Sequence, residues 1–267
     1  DHKYDPLTQR DYFSFLAYFN NAEGQQLAVQ GFQPDQPKLK AMTAKPDAKS
    51  ELARVITARG KKPRTTRVLW RGDVQNTGPV VPATVPQVLV DRPIEKTSPS
   101  RLALADWIAD SENPLTWRVI ANRLWHYHFG RGLVASPSNF GKLGQPPTHP
   151  KLLDWLADEL RASGGSLKSL HRLIVTSAVY RQSSSPSDSP QATHALNADP
   201  DNQLWWRMDR RRLEAESLRD AFLAAGSNLN RQIGGPAVKP RIRPDLLVAS
   251  QRNKWPVVKE EGPEHWR

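Results

Sequence analysis

The strongest constraint on the fold is a series of helix-start signals that begins near residue 98. Proline fits the first turn of a helix, because its ring presets φ and its missing N–H would have no partner there. Such a proline follows Ser98, Asn113 and His149, and a further start, Ser166, follows two glycines. Apolar residues at helical spacing come after each start. We therefore predict one helical domain over residues 98–230. Its predicted core is formed by Trp107, Leu124, Trp155, Leu156, Ile174 and Phe222.

Proline also limits regular structure outside these helices. The chain contains 23 prolines among 267 residues, and much of this proline falls between residues 79 and 99 and after residue 236. Its spacing in GPVVPATVPQVL excludes a central strand, so we expect this stretch to lie extended over the surface. We predict a loop for residues 22–48 and a short strand, TTRVLWRG, that ends at Gly72. The fold class is therefore mostly α: an irregular helical domain with long proline-rich loops and at most a small β element.

The N-terminal residues carry a separate helix signal. Thr8 and Asp11 have the spacing of a capping box, in which the two side chains bond to each other's backbone N–H groups. The helix that follows places four apolar residues on one face. These are Tyr12, Phe15, Leu16 and Phe19.

Composition limits the chemistry that the chain can carry. Cysteine is absent, which excludes disulfides, thiolate zinc sites and covalently attached haem within this sequence. The formal net charge of +11 permits nucleic acid, an anionic polysaccharide, an acidic lipid or an acidic partner domain as ligand. The alternative is an ordinary basic surface whose acidic complement lies elsewhere in a longer protein. No run of 18 apolar residues occurs, so we predict no transmembrane segment.

The stretch NPLTWRVIANRLWHYHFGRGLV holds four candidate anion or ligand contacts, Arg123, His126, His128 and Arg131. On a helix His126 and His128 lie about 200° apart, and the stretch has no acidic residue, so we predict no metal site there. A guanidinium at the edge of an apolar stripe ties loop carbonyls or a carboxylate together, or binds an anion. We predict that Arg123 and the two histidines organise the junction between this helix and GRGLV. An acid–base role for the histidines stays open, and His171 on a later helix is predicted to be exposed.

A second basic cluster lies in WWRMDRRRLEAESLRD. Arg210 and Arg211 are further candidate anion contacts. Because Arg212 and Glu216 are four residues apart, a salt-bridged, solvated helix is the favoured interpretation. The two tryptophans that open the stretch are interpreted as core residues, with stacking on a sugar or a base as the alternative.

Recognisable catalytic motifs are absent from the sequence. It contains no GxSxG, P-loop, Rossmann or EF-hand pattern. Linear spacing also cannot define the carboxylate pair that glycoside hydrolysis needs. The catalytic residues, if the chain has any, are therefore unknown from the sequence.

Several stretches together resemble the planctomycete secreted domain PSD1, also called DUF1553. The N-terminal HKYDPLTQRDYFSFLAYFNN resembles the end of the domain DUF1549 that usually precedes it. The stretches that carry the PSD1 resemblance are RLALADWIADSENPLTWRVIANRLWHYHFGRGLV, NFGKLGQPPTHPKLLDWLADEL, LKSLHRLIVTSAVYRQSS and WRMDRRRLEAESLRDAFLAAGSNLN.

The resemblance implies a division of the chain and a cellular context. Residues 1–22 would be the end of a DUF1549-like domain, residues 23–97 a linker and extended approach segment, and residues 98–267 a helical DUF1553-like domain truncated at its C-terminus. Proteins of this kind are large and exported, and many carry a cytochrome c-like domain near the N-terminus. No cofactor is expected within this fragment, because any haem would be attached in another domain. No catalytic residue carries over from the family.

Three functional hypotheses follow. The first is a module of a large exported bacterial multidomain protein, acting in polysaccharide binding or breakdown alongside a cytochrome c-like domain. Its partners would be a glycan or an acidic partner domain, and the remaining domains of the same polypeptide. The alternatives are a basic helical protein that binds nucleic acid and an unrecognised hydrolase that uses Arg123, His126 and His128. We expect no specific nucleic-acid ligand, since no nucleic-acid-binding motif accompanies the charge.

Overall fold

The computed structural model describes residues 5–29, 51–58, 64–90, 100–185, 187–232, 239, 241–246 and 262–266. These residues form seven α-helices and two antiparallel two-stranded sheets, so the fold is mostly α with a small β content, as the sequence predicts. The helices are α1 (Gln9–Leu16), α2 (Arg101–Ala109), α3 (Thr116–Phe129), α4 (Pro150–Ala162), α5 (Leu167–Thr176), α6 (Pro190–Ala198) and α7 (Ala215–Ala225). The strands are β1 (Ala22–Val29), β2 (Glu51–Ala58), β3 (Arg67–Leu69) and β4 (Thr77–Val80).

The chain divides into two compact units, Asp1–Asp209 and Arg210–Arg267. The first unit contains α1 to α6 and both sheets, and the second contains α7. Within the second unit Arg219 of α7 donates a hydrogen bond of 2.6 Å to the carbonyl of His265. The division into residues 1–22, 23–97 and 98–267 that the family resemblance implies stays a prediction.

Local capping chemistry sets the ends of the helices. Asn113 Oδ1 accepts the N–H groups of Leu115 and Thr116, both at 3.0 Å, at the start of α3. Gly130 ends α3 with φ of 85°, in the left-handed region that glycine enters without steric penalty. Ser166 caps α5 through its hydroxyl. The helix starts predicted at His149 and Ser166 are therefore confirmed. α3 begins at Thr116, two residues after Pro114, and α2 is capped by Ser100.

The main core lies where α3, α4 and α5 pack together in the first unit. Leu124, Leu156 and Ile174 are buried there, as predicted. The aromatic rings of Trp125 and Phe129 stack with centroids 4.2 Å apart, and Trp205 packs against both.

Two of the predicted core residues are exposed. Trp155 is 46% exposed, because it lies one position, or about 100°, from the buried Leu156 on α4. Phe222 is 71% exposed on α7, which has no buried residue among those described. Trp107 is half-buried in a separate small cluster with Tyr18 and Leu104. The predictions for Trp155 and Phe222 are wrong.

The β content also differs from the prediction. Residues 22–29 form β1 rather than a loop, paired with β2 in the register Ala22 with Ala58. The sequence of β2, ELARVITA, contains three consecutive β-branched residues, which favour a strand. The sequence of β1 has few such residues, so it does not by itself predict a strand. Residues 30–48 of the predicted loop lie outside the described residues.

The stretch predicted to lie extended over the surface contributes to a second core cluster. It contains β4, which pairs with β3, and the buried Val81 packs in one cluster with Phe13 and Val68. A proline in β4 is tolerated because both strands of a two-stranded sheet are edges. The predicted strand near residue 72 ends earlier, at Leu69, and continues as a 3-10 turn to Gly72.

Thr8 and Asp11 form the predicted capping box of α1. The buried face of α1 is different from the predicted one, since Phe13 is buried while Tyr12 and Leu16 are exposed.

Among the helices of the described residues, none combines the length and the apolar character that crossing a bilayer requires.

Candidate functional site

The loop after α3 is held by Asn122. Its side chain is fully buried, and its Nδ2 donates to the carbonyl of Val134 at 3.0 Å while its Oδ1 accepts the N–H of Val134 at 2.8 Å. A Cβ on Gly132 would lie 2.7 Å from the Asn122 amide, so only glycine fits against it. One side-chain amide thus holds the end of the GRGLV loop at Val134 and packs closely against Gly132.

The prediction that Arg123 organises this loop is wrong. Arg123 is exposed, and it makes no hydrogen bond or ion pair within the part of the chain that the structure describes. A helix advances by about 100° per residue, which places Asn122 inward and its neighbour outward. The available signal was the asparagine itself, because a mid-helix Asn is disfavoured unless its amide has a partner.

The two histidines of α3 make different contacts. His126 packs edge-on against Tyr127, with ring centroids 5.7 Å apart. His128 is half-buried, and its Nε2 lies 2.7 Å from Nδ1 of His171 on α5. The prediction that His171 is exposed is therefore wrong, since His171 is half-buried against α3.

The pair His128–His171 is flanked by the ring of Tyr180. Tyr180 packs perpendicular to the His128 ring at 5.7 Å and touches Phe129 on its other side. One imidazole must donate the shared proton and the other must accept it, so at least one ring is neutral while the bond exists. Among the described residues, no three or more His, Cys, Asp or Glu side chains are arranged to hold a metal ion.

Arg131 connects the loop after α3 to a second tight turn. Its Nη2 donates to the carbonyl of Asn202 at 3.0 Å, and its guanidinium lies over the Trp205 ring at 5.3 Å. Asn202 is fully buried with φ of 52°, and its Nδ2 donates to the carbonyl of Arg207 at 2.9 Å. The structure gives Arg131 this internal role, while its role as an anion contact stays a prediction.

The candidate contacts are divided between the two units. Arg123, His126, His128 and Arg131 lie in the first unit, whereas Arg210 and Arg211 begin the second and are exposed.

A cleft of about 660 Å³ lies beside α1, and we call it the aromatic cleft. Tyr12 is 62% exposed in it, and Trp107 contributes a half-buried indole. The capping box fixes the start of α1. Burial raises the pKa of Asp11, but hydrogen bonds from the side chain and backbone of Thr8 outweigh it, and the pKa is lowered overall. The lining includes Leu7, Tyr12, Phe15, Pro86, Leu89 and Trp107.

A second cleft, of about 460 Å³, lies beside the first turn of α4, and we call it the polar cleft. Arg118 Nε donates to Asp154 Oδ1 at 2.6 Å across it, and Arg118 Nη1 donates to the carbonyl of Pro114 at 2.6 Å. The side chains of Lys142 and Gln145 are exposed and have no partner within the described residues. The apolar part of the lining is formed by Val134, Phe140, Pro146, Pro147, Pro150 and Leu153.

Asp5 connects the linings of the two clefts. Its Oδ1 accepts the N–H of Lys142 at 2.7 Å, and a Cβ on Gly141 would overlap its carboxylate. Leu7 and Thr8, two and three residues further on, line the aromatic cleft. Sequence reasoning identified neither cleft, because their residues come from segments far apart in the chain.

One comparison with known proteins gives a match. The family model PSD1, described as a protein of unknown function (DUF1553), matches residues 100–265. No curated protein and no solved structure matches the chain. The match contains the whole lining of the polar cleft, but only Trp107 of the aromatic cleft.

Proposed function

The chain belongs to the PSD1 family of proteins of unknown function, and we propose that it binds polysaccharide as one module of a larger exported polypeptide. The single observation that carries this proposal is the aromatic cleft. It has the volume of a ligand site, and its wall presents the exposed ring of Tyr12 and the half-buried indole of Trp107.

A sugar ring has an apolar face of C–H groups and an edge of hydroxyl groups. The apolar face stacks on an aromatic ring, as other flat or ring-shaped ligands do. Tyr12 and Trp107 are the two side chains that combine an aromatic ring with a polar tip in this cleft. We assign them the stacking role.

Packing and a hydrogen bond position α1 and the Tyr12 ring in the absence of ligand. The Tyr12 ring packs edge-on against Phe13, with centroids 5.1 Å apart, and Phe13 is buried in a core cluster with Val68. Gln9 Nε2 donates to the carbonyl of Leu69 at 2.9 Å, which attaches α1 to β3. A preorganised platform loses little entropy when it binds, which favours affinity.

The aromatic cleft draws on all three parts of the chain that the family resemblance implies. Tyr12 lies in the DUF1549-like tail of residues 1–22, Pro86 in the segment 23–97, and Trp107 in the PSD1-like domain. This supports a polypeptide in which the two domain types act together. We place it outside the cytoplasmic membrane, beside a cytochrome c-like domain that would carry any haem.

The other two hypotheses have no observation that favours them. A hydrolase built on Arg123, His126 and His128 would need these side chains to face one substrate, and Arg123 is exposed while His128 is bonded to His171. Nucleic acid would be attracted by the net charge of +11 through counterion release, without sequence preference. DNA binding at about 150 mM salt that discriminates between sequences would replace our proposal by the nucleic-acid hypothesis.

The test is affinity electrophoresis of the protein in gels that contain neutral or acidic polysaccharides. We expect retardation by at least one polysaccharide, and we expect Tyr12→Ala to weaken it about tenfold. Tyr127→Ala is the matched control, because Tyr127 is 63% exposed on α3 and does not line the aromatic cleft. Equal retardation of the two variants, or no retardation by any polysaccharide, would contradict the proposal.

A further inference from the structure

We propose that the polar cleft binds a carboxylate, so that the ligand of this protein is a glycan with uronic-acid units that runs across both clefts. The inference rests on the proposed function, and it adds the chemical class of the glycan and a second contact site. Three observations carry it: the charge of the cleft, the fixed position of Arg118, and the link through Asp5.

The lining of the polar cleft has an excess of positive charge. Arg118 and Lys142 are cations, and Asp154 is the one anion among the lining side chains. Asp154 is already paired with Arg118 at 2.6 Å, which leaves Lys142 as an exposed ammonium group without a partner in the described residues. The carboxylate of Asp5 is not part of the lining; it accepts the backbone N–H of Lys142 and lies against Gly141. The Lys142 ammonium is therefore the lining cation with which an anionic group of a ligand would pair.

Arg118 is held in one orientation before any ligand binds. Its Nε and Nη1 donate to Asp154 and to the carbonyl of Pro114, and its Nη2 has no partner within the described residues. A guanidinium fixed by two bonds presents its remaining N–H groups in a defined direction, which suits the two oxygens of a carboxylate. The amide of Gln145 and the ammonium of Lys142 supply further donors on the same lining.

The second oxygen of Asp154 complements this set of donors. Oδ1 is bonded to Arg118, while Oδ2 accepts no hydrogen bond within the described part of the chain. A sugar hydroxyl next to the carboxylate can donate to this oxygen. A uronic-acid unit, which has an anionic group and hydroxyl donors on one ring, therefore matches the lining better than a neutral sugar does.

The N-terminal segment links the surroundings of the two clefts, from which we infer that one polymer reaches both. Asp5 contacts the loop that lines the polar cleft, and Leu7 lines the aromatic cleft. Two residues of chain separate the Cα atoms of Asp5 and Leu7 by at most about 7 Å. A glycan of several units spans such a separation, with one unit stacked on Tyr12 and another paired with Lys142.

The experiment compares polygalacturonate with the same polymer after complete methyl esterification, by titration calorimetry at about 150 mM salt, where screening limits unspecific attraction. We expect the free acid to bind about tenfold more tightly than the ester, because the charge-assisted hydrogen bonds are lost with the charge. Lys142→Ala should reduce this preference several-fold, because one of the two lining cations is lost while Arg118 remains. Lys168→Ala removes the same charge from an exposed site on α5, and it should keep the preference.

The outcomes separate this inference from the proposed function. Equal affinity for acid and ester, or equal effects of Lys142→Ala and Lys168→Ala, would overturn the inference, and the proposed function would stand if Tyr12→Ala still weakened binding. No binding of either polymer, or of the neutral polysaccharides, would refute both. Galacturonic acid alone should bind far more weakly than the polymer; equal affinity per carboxylate would show a site for small organic acids and refute a glycan that spans both clefts.

Discussion

The imidazoles of His128 and His171 are joined by a hydrogen bond of 2.7 Å between Nε2 of the first and Nδ1 of the second. The bond links α3 to α5 across 43 residues of sequence and lies beside Tyr180. It makes the two rings one structural unit rather than two separate surface groups.

The first prediction concerns this pair. His128→Ala and His171→Ala should each lower the free energy of unfolding by about 1–3 kcal/mol, because the remaining ring loses this hydrogen bond in a half-buried site. In a double-mutant cycle the two changes should be non-additive by at least about 0.5 kcal/mol. Additive effects in urea denaturation would show that the hydrogen bond contributes nothing to stability.

The second prediction compares adjacent residues of α3. Asn122→Ala leaves the buried N–H and carbonyl of Val134 unpaired, so it should lower the free energy of unfolding by about 1–3 kcal/mol or more. Arg123→Ala removes an exposed side chain and should change it by less than about 0.5 kcal/mol. Thermal or urea denaturation of the two variants measures the difference, and the reverse order would restore the role predicted for Arg123 from sequence.

The third prediction compares a buried residue of α4 with its exposed neighbour. Leu156 is 1% exposed, so Leu156→Ala should destabilise the protein by about 2–5 kcal/mol. Trp155→Ala should have a smaller effect, below about 1 kcal/mol, because half of the indole already lies in solvent. If Trp155→Ala is the less stable of the two variants in urea, Trp155 rather than Leu156 faces the core.

The fourth prediction concerns the capping box of α1. Thr8→Ala should destabilise the protein by about 0.5–2 kcal/mol at neutral pH, while Thr8→Ser keeps the hydroxyl and should be nearly neutral. Both variants should be compared by urea denaturation at pH 7.

The capping box also gives a pH dependence. The pKa of Asp11 is lowered in the folded state, so its carboxylate contributes stability above the unfolded value near 3.8, and the contribution is lost as the pH falls through the folded value. The difference in stability between the wild type and Asp11→Asn should therefore be largest near neutral pH and shrink below pH 3.8. A difference that stays constant down to strongly acidic pH would exclude this linkage.

Helix ends could be predicted from the sequence because short-range chemistry determines them. The proline at 150, the hydroxyl of Ser166 and the glycine at 130 act within one turn of the chain. The buried faces were harder to assign, since apolar residues stand side by side, as in Trp155 and Leu156, and only packing against other helices selects one of them.

The candidate site was less accessible to sequence reasoning than the fold. His171 could not be paired with His128 without the packing of α5 on α3, which no local pattern encodes. The strand β1 was missed for a similar reason, because its pairing partner lies more than twenty residues further along the chain. Neither cleft has a sequence signature, since each is assembled from separate segments.

The contact between Asp5 and the backbone at Gly141 and Lys142 joins the segment before residue 100 to the part of the chain that the family model matches. A recombination event that transferred only residues 100–265 would carry the complete lining of the polar cleft, yet it would leave behind the carboxylate that braces one of its loops and nearly all of the aromatic wall. The segment before residue 100 therefore belongs with the matched region as one structural unit, since both clefts depend on it.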